Sequence, residues 1–141
     1  MNADECVRIL INCLRRFMRA ELDRTMRQVI TALPETVTEP ATGRPIIDPF
    51  TGQVLTRPVL EHIKTIHTKL GEAGLRDDRA FCEALRELLL DAAAAPVFHL
   101  LGVVDGETPL PGNTRLELRV KGGEPLPTHL HEILFPIDQD H

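Results

Sequence analysis

The stretch LPTHLHEIL (126–134) places His129, His131 and Glu132 within four positions near the end of the chain. Two imidazoles and a carboxylate are the donor types of a zinc centre or of an acid/base pair. Their spacing argues against both. On a helix His129 and His131 point about 200° apart, so one ion cannot take both. On a strand the two histidines share a face and Glu132 points to the other. His62 and His67 are separated by about 140° around a helix and complete no ligand set. The motif therefore reads as surface or interface histidines. A small ligand site, metal site or enzymatic site around His99, His129 and His131 is the alternative.

Other equipment for chemistry is sparse. The chain of 141 residues contains no serine, and with it no nucleophile elbow. Neither GxGxxG nor a Walker pattern occurs, so nucleotide binding by those routes is excluded. His99, within VFHLL, has the apolar context of a core histidine. Cys6, Cys13 and Cys82 lack CxxC spacing, and the first two lie about 10 Å apart along one helix face, too far to bridge. Buried thiols in a reducing compartment follow, Cys82 in the core. No catalytic residue, metal or cofactor is expected.

The positioning elements can be read from periodicity. A long helix is expected at 3–33, with Asn2 and Glu5 as a capping box and Pro34 as its stop. Leu14, Met18, Leu22, Met26, Val29 and Leu33 form its apolar stripe, and Arg8, Asn12, Arg15, Arg19, Asp23 and Arg27 its polar one. A Pro/Gly-rich arm (34–56) follows. TGRPIIDPF (42–50) is repeated in form by TGQVLTRPV (51–59), and the apolar pairs flanking DPFTG suggest a hairpin-like excursion. Helices are expected at 57–71, capped by Thr56 and stopped by Gly71 or Gly74, and at 78–95, started by Asp77 or Asp78 and broken or kinked at Pro96. Leu60, Ile63, Ile66, His67 and Leu70 mark the inner face of the first, and Phe81, Leu85, Leu88, Leu89 and Ala92 that of the second.

In TRLELRVK, Leu116, Leu118 and Val120 alternate with charged residues, the pattern of a half-buried strand at 114–120. A last short helix is expected at 129–135 with Thr128 as cap. The expected architecture is one α+β domain over 1–141: a helical core (57–104) with a small antiparallel sheet and closing segment (105–141). No apolar run approaching about 18 residues is expected, hence no signal peptide or membrane span, and a cytoplasmic location.

Charge bounds the partners. The net charge is −5, with eight basic and seven acidic residues over 1–60 against eight and fourteen over 61–141. Nucleic acid is therefore not expected as a partner, nor, without an apolar span, is a membrane, and a basic protein suits the acidic portion. Asp105, Glu107, Glu124 and Glu132 are the candidate docking carboxylates, with Arg8, Arg15, Arg19 and Arg27 a second candidate surface. Self-association through the N-terminal helix, as a structural or adaptor subunit, is a third reading.

The segment VFHLLGVVDGETPLPGNTRLELRVKGGEPLPTHLHEIL (97–134) resembles the C-terminal part of small bacterial proteins of immunity type. It shares an apolar segment ending in Asp-Gly, an LELR strand and a closing LHE helix. The resemblance implies a non-enzymatic cytoplasmic protein that occludes a toxin.

Overall fold

A computed structural model describes residues 2–31, 36–108, 110–126 and 129–137. Among them are three α-helices, α1 (Ala3–Thr31), α2 (Leu60–Glu72) and α3 (Arg79–Val104), and two short 3₁₀ turns. The expected α+β class is corrected: no strand forms among the described residues, only isolated bridges. The chain divides into two compact units, Met1–Arg19 with Leu89–His141, and Ala20–Leu88.

α1 begins as its sequence demands. The Asn2 side chain accepts the Glu5 N–H at 2.8 Å, satisfying a donor that the first helical turn leaves open. Its buried stripe runs Val7, Ile11, Arg15, Met18, Leu22 and Val29, so Arg15 lies inside the apolar face instead of on the solvated one. The expected stop at Pro34 lies outside the described residues.

In the first unit Arg15 is 0% exposed. Its Nε donates to the Leu134 carbonyl at 2.7 Å and its Nη2 to the Ile133 carbonyl at 2.6 Å. One turn later Arg19 donates to the Ile137 carbonyl at 2.8 Å. These carbonyls end a 3₁₀ turn (Leu130–Ile133) that stands where a helix was expected over 129–135. Leu130, Leu134 and Ile137 are buried beside the clamp. The expected Thr128 cap is outside the described residues.

The expected strand at 114–120 has one bridge, Arg119 with Pro125, and one further cross-bond, from the Leu126 N–H to the Leu118 carbonyl. The chain turns back directly after Val120, the Gly123 N–H donating to the Val120 carbonyl, and pairing goes no further than this bridge among the described residues. Leu116 and Val120 consequently stay exposed.

The second unit holds the arm. The turns before Gly43 and Gly52 are closed by equivalent backbone bonds, and Val37, Ile46 and Leu55 recur at nine-residue steps. The Val37 N–H donates to the Leu55 carbonyl, that of Leu55 to Ile46, and that of Ile46 to Val37, closing a ring of three bonds. Arg57 then pairs with Glu21 and donates to the Gln28 amide oxygen at 3.3 Å, and Arg24 donates to the Thr38 hydroxyl at 2.7 Å.

α2 starts three residues after the expected position. Val59 precedes it without a side-chain cap, so Thr56 does not serve as one. It ends at left-handed Gly74, with the Leu75 N–H reaching back to the Leu70 carbonyl at 2.9 Å. Arg76 can only donate, so its 2.7 Å contact makes His67 Nε2 an acceptor. His67 Nδ1 therefore carries the proton it gives the Val29 carbonyl in the last turn of α1. Ile66, expected inside, is exposed.

α3 is started by Asp78, whose carboxylate accepts the Phe81 N–H at 3.0 Å. It continues through Pro96 to Val104. Pro96 and Ala92 both face outward, so the carbonyl that Pro96 cannot serve is open to water. The inner face is rotated from the expected one. Leu90, Ala94 and Leu101 are buried, whereas Leu88 is 66% exposed and Ala92 and His99 are exposed. At 26 residues this helix is also long and apolar enough, by length and composition alone, to cross a membrane, contrary to expectation.

Two stability outcomes follow. Arg15→Ala, which strips two charge-assisted hydrogen bonds from buried carbonyls, should cost about 3–5 kcal/mol in urea unfolding. Exposed Arg16→Ala should change it by about 0.5 kcal/mol or less, and equal costs would refute the clamp. At Gly71 a Cβ would stand 1.6 Å from Arg76 Nη2. Gly71→Ala should therefore destabilise by about 1 kcal/mol in the wild type yet stabilise by about 0.5–1 kcal/mol in Arg76→Ala, where helix propensity alone acts. The same sign in both backgrounds would show that Arg76 does not rest on Gly71.

Candidate functional site

The histidine motif is split by the fold. His129 is exposed and left-handed, its Nδ1 3.4 Å from a Glu132 carboxylate oxygen. His131 turns inward instead, to a residue 26 positions away. Its ring Nδ1 lies 2.5 Å from Asp105 Oδ2, and its backbone N–H donates to the same oxygen at 2.9 Å. Asp105 thus caps the N–H groups that open the closing 3₁₀ turn, and its carboxylate side chain is only 1% exposed. No group of three or more His, Cys, Asp or Glu that could hold a metal ion occurs among the described residues.

Burial pulls the Asp105 carboxyl upward. Hydrogen bonds from the His131 ring and from the His131 and Leu130 N–H groups outweigh it, holding the group below the ordinary carboxylate value. A carboxylate held by an imidazole is also how enzymes orient a general base. Here the His131 and Phe98 rings stand edge to face, centroids 5.3 Å apart, and the His131–Asp105 pair fastens the closing turn to the end of α3.

The candidate docking residues divide likewise. Glu107, Glu124 and Glu132 are exposed, while Asp105 faces inward and presents no charge to a partner. Arg8 and Arg27 are exposed; Arg15 and Arg19 bind the chain's own closing segment. His99, expected in the core, lies exposed against Phe98, and Cys82 is half-buried with its Sγ near the Leu75 and Arg76 carbonyls.

Two features escaped the sequence reading. The first is Phe50, 96% exposed at the tip of the second arm turn. Its N–H donates to the Asp48 carboxylate at 2.8 Å, the Asp48 N–H to the Gln53 carbonyl and the Gly52 N–H to the Asp48 carbonyl, both at 2.8 Å. The Phe50 N–H is the main reason that the Asp48 carboxyl lies below its usual range. Ile47 and Val54, bridged partners on one face of the same hairpin, are also exposed. The available signal was a phenylalanine inside DPFTG, where a turn offers an aromatic ring no core.

The second, in the other unit, is an open apolar dish of about 220 Å³ lined by Asp91, Ala95, Phe98, His99 and Phe135. Phe98 is its centre, with ring centroids of His99 at 5.7 Å and Phe135 at 6.0 Å.

No protein-family model, curated protein or solved structure matches this chain.

Acid should loosen the closing turn. Because Asp105 is held below its unfolded value, its stabilising contribution is present above about pH 4 and is lost as pH falls through the folded value. Urea unfolding from pH 7 to 3 should show a steeper loss in the wild type than in Asp105→Asn. Identical acid slopes would contradict the assignment.

Proposed function

We propose that this chain is a non-enzymatic protein-binding module that anchors to its partner through Phe50. The observation that carries the reading is the 96% exposure of a phenylalanine on a turn that hydrogen bonds hold in shape. Burying such a ring is worth about 1.5–3 kcal/mol, and a pre-organised anchor loses little entropy on binding. Aromatic anchors of this kind dominate interface energetics, with Ile47 and Val54 supplying apolar surroundings.

The acidic net charge weighs against nucleic acid, and three free, half-buried thiols suit a reducing compartment such as the cytoplasm. No cofactor enters this reading. The toxin-neutralising role implied by the resemblance is not carried forward: nothing matches the chain, and the LELR segment on which it rested forms no strand.

The test replaces Phe50 with a benzophenone-bearing phenylalanine in living cells. Irradiation should give one discrete adduct, absent when the probe stands at Ala41, the corresponding exposed position of the other turn. No adduct at 50, or the same adduct at both positions, would refute the anchor.

A further inference from the structure

We propose that the partner receiving Phe50 is a second copy of this chain, and that the receptor is the aromatic dish of Ala95, Phe98, His99 and Phe135. The inference rests on the reading of Phe50 as an anchor and names its occupant. The chain carries both a projecting ring and an open apolar hollow, each exposed, in different units.

Size and chemistry agree. An apolar cavity of about 150 Å³ suffices for a benzene ring, and the dish offers about 220 Å³. Its centre, Phe98, already has His99, His131 and Phe135 at centroid distances of 5.3–6.0 Å, two of them edge-on. Aromatic pairs favour separations of about 4.5–7 Å in edge or tilted arrangement, so a ring entering over Phe98 meets the preferred surroundings.

Charge does not drive the contact. The unit bearing Phe50 carries nine basic and eleven acidic residues, a net charge of −2, and the unit holding the dish seven and ten, a net charge of −3. Like charge therefore opposes association, and the attraction comes from burying the ring.

Because ring and dish are different surfaces, the contact is heterologous: each pair of copies retains one unused ring and one unused dish, and assembly proceeds head to tail. A small contact centred on one side chain makes each link weak.

Sedimentation velocity of the full chain, from low micromolar to near-millimolar concentration, tests this. The wild type should rise above the 15.8 kDa monomer mass as concentration increases. Phe50→Ala should raise the association midpoint at least about tenfold. Ala95→Arg, which fills the dish and can pair with Asp91 one turn earlier, should do the same. Both positions are exposed, so thermal unfolding of each variant should match the wild type. Mixed in equal amounts, the two variants should form a dimer and nothing larger, because Phe50→Ala supplies only a dish and Ala95→Arg only a ring. A wild type that stays monomeric throughout, a Phe50→Ala that associates like the wild type, or a mixture that stays monomeric would each overturn the inference. The photo-adduct at position 50 separates the two readings. A mass of two copies supports both, an adduct with another protein overturns only the homotypic one, and no adduct overturns both.

Discussion

An arginine in the apolar stripe of a helix is tolerable only if its donors are all used in the interior, and Arg15 organises the first unit around that requirement. Its guanidinium reaches the Ile133 and Leu134 carbonyls, the groups that a single 3₁₀ turn leaves without helical partners. Each side removes the other's desolvation cost. Arg19 repeats the arrangement one turn along at Ile137, and Asp105 secures the opposite end of the turn through its N–H groups. A segment too short to hold itself as a helix is thereby held at both termini by side chains from α1 and from the end of α3.

The second unit solves the same problem with other residues. The Val29 carbonyl, in the last turn of α1, is taken by His67, whose tautomer is imposed by Arg76. The arm has no ladder, yet Val37, Ile46 and Leu55 exchange bonds in a closed ring, so three short extended pieces satisfy one another. This ring and the side-chain bonds of Arg57 and Arg24 give the arm a definite shape, and a definite shape is what makes an exposed Phe50 a useful anchor.

Polar and apolar residues have therefore partly exchanged their usual places. Arg15, Gln28 and Asp105 work inside, and Phe50, Leu88 and the rim of the Phe98 dish face outward. The inward polar groups pin segments that lack regular structure. The outward apolar groups are where association can gain free energy, because they alone have surface left to remove from water.

Local information was enough for the features that local forces decide. Asn2 and Asp78 start their helices, Gly74 ends one, and the nine-residue recurrence of the arm is visible in the residues themselves, since caps, left-handed glycines and tight turns depend on neighbours within a few positions. Periodicity could not decide orientation. Arg15 falls on a plausible polar stripe and Leu88 on a plausible apolar one, and only partners more than a hundred residues away in sequence made the first the buried one. The alternation at Leu116, Leu118 and Val120 was equally real, but a strand needs a neighbour along its length, and the returning segment bridges it at one position only. What the sequence determined was each element's local beginnings, turns and charge. Which face turned inward, and which histidine met Asp105, was decided by long-range packing, because those choices depend on groups that the chain brings together only when folded.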